Sequence, residues 1–205
     1  MPRALKSCFV FFMFLVAAAA YAAPQKSILV VGDSLSAAYG IASSRGWVAL
    51  LAERLRRERP DYSVVNASVS GDTTAGGRAR MQSALARHKP AVVVIELGGN
   101  DGLRGLPVAQ LKENLSAMAR AARAAGARVL LVGMRIPPNY GPDYADAFAA
   151  AFRDVAKAHK AAFVPFFLEG FAEDPAMFQD DRIHPTEAAQ PLMLERVWKE
   201  LRPIL

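Results

Sequence analysis

The chain has 205 residues, 53% of them hydrophobic, which is enough for one ordinary domain with a real core and not obviously enough for two. Its single cysteine, Cys8, excludes an internal disulfide framework. The net charge of +6 is concentrated in "ERLRRERP" and "RAARAAGAR", where it alternates with alanine and leucine at helical spacing. No aromatic-basic groove motif accompanies it, so these runs read as solvated helix faces and not as a nucleic-acid footprint. The charge is compatible with weak attraction to an anionic envelope surface.

In chain order, the first element is a leader. "MPRALK" carries Arg3 and Lys6 without an acid and precedes an apolar run from Cys8 to Ala20, short of the roughly 18 residues that span a bilayer. Ala20-Tyr21-Ala22 has small residues at the two positions a signal peptidase reads, which places a cleaved signal peptide over residues 1–22 and the mature start at Ala23. An uncleaved membrane anchor is the alternative. Cys8 lies too early in the leader to be a lipoprotein acylation site. Removing 22 of the 205 residues leaves 183 without any cysteine, and losing Arg3 and Lys6 takes the charge from +6 to +4. Such a chain is held by burial alone, and an oxidising compartment does not disturb it.

The mature segment, residues 23–205, alternates short β-branched runs with longer amphipathic ones. Strands are predicted over 27–31, 62–66, 91–97, 128–134 and 162–166, and helices over 46–59, 75–88, 108–125, 144–159 and 186–201. The alternation implies right-handed crossovers and a parallel sheet with helices on both faces. "AVVVIE" and "RVLLVG" are nearly continuous apolar runs, as central parallel strands are. The prediction is one three-layer α/β domain. Reactive groups then belong at the carboxyl ends of the strands, where "GDSLS", "NASVSGDTTAGG", "GGNDGLRG", "RIPPNYGPDY" and "DDRIHP" are all polar or glycine-rich.

"GDSLS" puts Ser34 directly after the first strand. A serine hydroxyl is a weak nucleophile without a base and an orienting group. Of three histidines, His88 and His159 sit at helix ends, where a basic residue favours the helix dipole. His184 stands in a loop, three residues after Asp181, and this spacing lets the carboxylate turn back to Nδ1–H and leave Nε2 free for Ser34. By itself "DRIHP" also fits a helix N-terminus. Gly71 in "SVSGD" and Asn100 in "ELGGND" can present a backbone N–H and an amide, although each alone is also a common turn residue. Asp33 is read as a brace for the loop through nearby backbone N–H groups.

These four blocks, in this order, resemble the SGNH, or GDSL, hydrolase family over about residues 28–190. The wording of "VVGDSLSAAYGI", "NASVSGDTTAGG" and "DDRIHPTEAAQP" is most similar to its periplasmic thioesterase, lysophospholipase and arylesterase branch in Gram-negative bacteria. The resemblance implies a flavodoxin-like five-stranded sheet and a cofactor-free, metal-free serine esterase acting on small-molecule esters and thioesters. It implies Ser34 as nucleophile, His184 as base and acid, and Asp181 as its orienter in preference to Asp180. The oxyanion donors it implies are the N–H groups of Ser34 and Gly71 and the Asn100 amide. The G-x-S-x-G elbow of the α/β-hydrolases is absent, since position 36 is serine.

Two other readings use the same residues: a metal-dependent phosphoesterase with ligands in these loops, and a non-catalytic protein that cradles an anion at "GDSLS". Leu103, Leu106, Ile136, Pro137, Tyr140 and Tyr144 are candidates to line an acyl groove, with ordinary loop packing as the alternative. The expected setting is a periplasmic or secreted monomer with no nucleic-acid partner and no stable membrane insertion.

Overall fold

In the computed structural model, which describes residues 25–205, the apolar runs form β1 (Lys26–Gly32), β2 (Tyr62–Asn66), β3 (Val92–Glu96), β4 (Arg128–Val132) and β5 (Ala162–Val164). The leader expected over residues 1–22, with Cys8 and the cut before Ala23, lies outside the described residues. The strands pair in parallel in the order β2-β1-β3-β4-β5, the flavodoxin-like arrangement expected. Every residue of β3 is buried, because helices cover both faces of a central strand.

The helices are α1 (Trp47–Glu58), α2 (Thr74–His88), α3 (Gly99–Leu103), α4 (Val108–Ala124), α5 (Pro142–Ala158) and α6 (Gln190–Leu201). Trp47, Val48, Leu51 and Leu55 make one buried stripe on α1, and Leu111, Leu115, Met118 and Ala122 another on α4. Helices α1 and α6 pack together on one side of the sheet; α2, α4 and α5 cover the other. Phe148 and Phe152 have no exposed surface. Burying each contributes roughly 1.5 to 3 kcal/mol.

The structure departs from the sequence reading in several places, among them the fourth strand, which stops at Val132 and not at 134. "GGND" is not an open loop, because its residues wind into the short helix α3. Helix α5 begins at Pro142, two residues earlier than predicted, since proline's missing N–H is harmless in a first turn. The segment after His184 is a 3-10 turn over Glu187–Ala189, and α6 starts only at Gln190. The fifth strand stops at Val164, ahead of Pro165, which has no N–H to donate.

The strand order has one functional consequence. From β1 the chain goes outward to β2 on one side and later enters β3 on the other, so the loops leaving β1 and β3 diverge. In open α/β sheets such a switch point is where a ligand crevice forms, at the carboxyl edge. Gly32 and Glu96 are register partners at that edge, which brings the "GDSLS" and "GGND" segments face to face.

Candidate active site

Beyond β1 the chain turns tightly, with Leu35 N–H donating to Asp33 Oδ1 at 3.0 Å and Tyr39 N–H to the Ser34 carbonyl at 3.1 Å. The expected bracing role of Asp33 is therefore seen in the Leu35 contact. The turn leaves Ser34 partly exposed, and its Oγ lies 2.9 Å from His184 Nε2. On the other side of the ring, Nδ1 lies 2.6 Å from Asp181 Oδ2. A carboxylate only accepts, so the proton sits on Nδ1 and Nε2 is free to accept from Ser34. Asp181 also takes the Ile183 and His184 backbone N–H groups on Oδ1, at 2.9 and 3.0 Å. Partial burial pushes the Asp181 carboxyl up, but the His184 N–H, the His184 ring and the Ile183 N–H outweigh it and bring it down to about 2.

His184 is held from behind by a small antiparallel bridge between Phe178 and Pro185. Gln179 N–H donates to the His184 carbonyl at 2.8 Å, and its side-chain amide donates to the carbonyls of Tyr39 and Pro185 at 2.9 and 3.1 Å. Through Gln179 the nucleophile loop and the histidine loop are tied together. The Tyr39 ring lies against the imidazole, centroid to centroid 4.4 Å. Sequence reasoning missed Tyr39 and Gln179, since nothing in the spacing of either marks it.

The three candidate oxyanion donors occupy different states. Among the described residues, nothing accepts the backbone N–H of Ser34 or of Gly71. Gly71 has φ +78°, a conformation that costs other residues roughly 1 to 2 kcal/mol. A Cβ there would meet no atom of the protein within 4 Å, so within the fold glycine is needed for its backbone conformation. Asn100, in the first turn of α3, is already occupied: Nδ2 donates to the Asp72 carbonyl at 3.0 Å and to Asp33 Oδ2 at 3.2 Å.

Charged side chains fasten these segments. Buried Asp101 accepts both the N–H and the hydroxyl of Thr74, tying α3 to the N-terminus of α2, where negative charge is favoured. Arg80 donates to the Gly32 and Ala67 carbonyls and to Asp72, joining the ends of β1 and β2 to the Gly71 turn. Arg104 donates to the Gly71 carbonyl at 3.0 Å.

Leu103 and Tyr140 are exposed and linked, Tyr140 Oη donating to the Leu103 carbonyl at 3.1 Å. Tyr144 donates to the Leu106 carbonyl at 2.7 Å, and both residues are half-buried. Pro137 is exposed, whereas Ile136 is buried beneath α3, against Gly102. Tyr39, Val69 and Ile183 are further exposed hydrophobic residues on these loops. His88 and His159 end α2 and α5, away from this cluster. Among the described residues, no group of three or more His, Cys, Asp or Glu side chains is arranged to hold a metal ion.

A flavodoxin-like sheet carrying Ser, His and Asp in a hydrogen-bonded line at its carboxyl edge defines the SGNH class of hydrolase folds. The chain belongs to the GDSL-like lipase/acylhydrolase family, whose model matches residues 30–191. It is 59% identical over 183 residues to the esterase TesA of Pseudomonas aeruginosa, covering 89% of this chain and 91% of that one. It is 42% identical over 194 residues to thioesterase 1/protease 1/lysophospholipase L1 of Escherichia coli K12, covering 95% and 92%. A crystal structure of TesA superposes with a TM-score of 0.86 at 59% identity, over 88% of this chain and 100% of that one.

Proposed function

We propose that the protein hydrolyses carboxylic esters and thioesters by two-step acyl transfer, with Ser34 as nucleophile, His184 as base and then acid, and Asp181 as orienter. The observation that carries the reading is the unbroken line from Asp181 Oδ2 through the His184 ring to Ser34 Oγ. As Ser34 Oγ attacks the acyl carbon, its proton passes to Nε2, and Asp181 stabilises the imidazolium that forms. The tetrahedral oxyanion takes the free N–H groups of Ser34 and Gly71 and shares the Asn100 hydrogen that otherwise points to the Asp72 carbonyl. Collapse expels the alcohol or thiol, which leaves with the proton from Nε2. Water then repeats the sequence on the acyl-enzyme, and Ser34 is regenerated. No step calls on a cofactor or metal.

The substrate classes in the relatives' names, thioesters and lysophospholipids, demand the same triad and are proposed as substrates here together with aryl esters. The acyl groove is proposed along Leu103, Leu106, Pro137 and Tyr140, over Ile136, which suits medium to long chains. None of the described helices is long and apolar enough to cross a membrane. We place the working protein in the periplasm or outside the cell as a monomer, delivered by the basic and apolar leader and cut before Ala23, with no nucleic-acid partner.

The test is Ser34→Ala in the purified mature protein, with intact protein labelled by a fluorophosphonate. Loss of at least 99% of aryl-ester and thioester hydrolysis, with the label mapped to Ser34, is expected. Retained activity with unlabelled Ser34 overturns the reading. Activity abolished by a chelator, and restored by a divalent metal, selects the phosphoesterase reading instead.

A further inference from the structure

Beneath the candidate oxyanion site lie two carboxyl groups that the chemistry above does not use. Asp33 is 2% exposed and Glu96 is 0% exposed. No ion pair involving either exists among the described residues. Gly32 is what lets Glu96 and Ser36 pack against the end of β1, because a Cβ at that position would lie 2.8 Å from Glu96 Oε2 and 2.7 Å from Ser36 Oγ.

The two are differently solvated by the protein. Glu96 Oε2 accepts the Ser36 hydroxyl at 2.6 Å and the Asp33 backbone N–H at 3.5 Å, while Oε1 has no partner. Asp33 receives the Leu35 N–H on Oδ1 and the Asn100 amide on Oδ2. Two buried anions on adjoining residues of the β1–β3 edge, close enough for the charge of Asp33 to raise Glu96 and without a cation paired to either, cannot both be ionised at modest cost. The proton belongs on the carboxyl with the bare oxygen and the poorer set of donors.

We infer that Asp33 and Glu96 form a buried carboxyl pair holding one proton, carried by Glu96, and that ionised Asp33 is a positioning residue for the Asn100 amide. By pinning one Asn100 hydrogen, Asp33 fixes the rotation of the amide, so the second hydrogen points to the Asp72 carbonyl, where an oxyanion can share it. This inference rests on the acyl-transfer reading of Ser34. Burial pushes Asp33 up to about 6; burial and then the charge of Asp33 raise Glu96 well above the usual carboxylate range, both in the direction the pairing requires. The other charges facing Asp33 are His184, which opposes the rise, and Asp72, which adds to it and is itself bonded by Arg80.

Asparagine at position 33 is the discriminating substitution. It has one acceptor where two are needed, so whichever way it turns, an NH2 faces either Leu35 N–H or the Asn100 amide. Asp33→Asn is expected to lower kcat roughly 10- to 100-fold, with KM within threefold, as partial loss of one oxyanion donor does. In an Asn100→Ala background the same substitution should cost little more, because it acts through Asn100. An unchanged kcat, or an equal loss in both backgrounds, overturns the positioning role. If Asp33→Asn does not fold, the side-chain amide protons of Asn100 in the intact protein serve instead. They should shift with a midpoint near pH 6, and shifts that ignore that titration overturn the coupling.

The proton itself is read without activity. Infrared spectra at pH 8 should show a protonated-carboxyl C=O band that Glu96→Gln removes; a missing band, or one that survives the substitution, overturns the shared proton. Failure of the acyl-transfer reading would appear separately, as Ser34→Ala activity with the band intact.

Discussion

His184 Nε2 and Ser34 Oγ lie 2.9 Å apart although 150 residues separate them in sequence. Nothing local holds them together. Ser34 is fixed by the end of β1, whereas His184 is fixed by the Phe178–Pro185 bridge, and the Gln179 amide spans the two loops. The Asp181–His184 pair, three residues apart, is a local construction by comparison. Its two backbone contacts on Asp181 Oδ1 leave Oδ2 for the ring.

That division of Asp181 between backbone and ring makes Asp181→Asn informative. An asparagine that keeps its oxygen on the backbone N–H groups turns its NH2 toward Nδ1, which favours the tautomer with the proton on Nε2, where it cannot accept from Ser34. A loss in kcat on the order of 10³ to 10⁴ is expected, with KM little changed. Steady-state kinetics on one aryl ester tests this, and a loss below tenfold would sink the assignment of Asp181.

Gly71→Ala separates backbone strain from steric exclusion. The added methyl meets no atom, so the expected cost is the roughly 1 to 2 kcal/mol of a left-handed residue, relieved by rotation of the turn. Rotation displaces the N–H, and kcat should fall about 10²-fold. A variant of wild-type kcat would show that this N–H is not an oxyanion donor.

The buried and exposed aspartates predict opposite pH effects on stability. Asp181, drawn down to about 2, contributes stability that is present above an unfolded value of about 3.9 and lost as pH falls toward 2. Asp33 is raised to about 6, so its contribution is present below about 3.9 and lost as pH rises through 6. Thermal unfolding followed against pH should therefore show the gap between Asp33→Asn and wild type narrowing from pH 4 to 7. A gap that stays constant over that range would falsify the shift.

At the rim, Leu103→Ala should weaken turnover of long acyl chains relative to short ones, by about three- to tenfold in kcat/KM, because an exposed leucine can bury only part of its side chain. Tyr140→Phe, which loses the bond to the Leu103 carbonyl but keeps the ring, should loosen the same preference less. A chain-length panel decides between this groove and ordinary loop packing. Equal losses for acetyl and dodecanoyl esters would count against a groove.

Much of this was legible early because parallel strands announce themselves. The apolar runs at 91–97 and 128–134 need burial on both faces, and that need fixes a sheet with loops collected at one edge. The helix boundaries were less legible, as α3 shows: two glycines and an asparagine signal a turn, and only docking of Asp101 on Thr74 draws them into a helix. The same docking is why Asn100 faces Asp33, a contact that no spacing rule anticipates.

The sequence by itself determined the sheet, its order of elements and the polar loops that follow each strand, since hydrophobic periodicity and local spacing act over a few residues. It also determined the Asp181–His184 unit for the same reason. Tertiary structure alone decided which loops meet across the β1–β3 crevice, that Tyr39 lies on the histidine, and that Asp33 and Glu96 are sealed from water. Those outcomes depend on packing between segments far apart in the chain, and burial is what changes the chemistry of the groups it encloses.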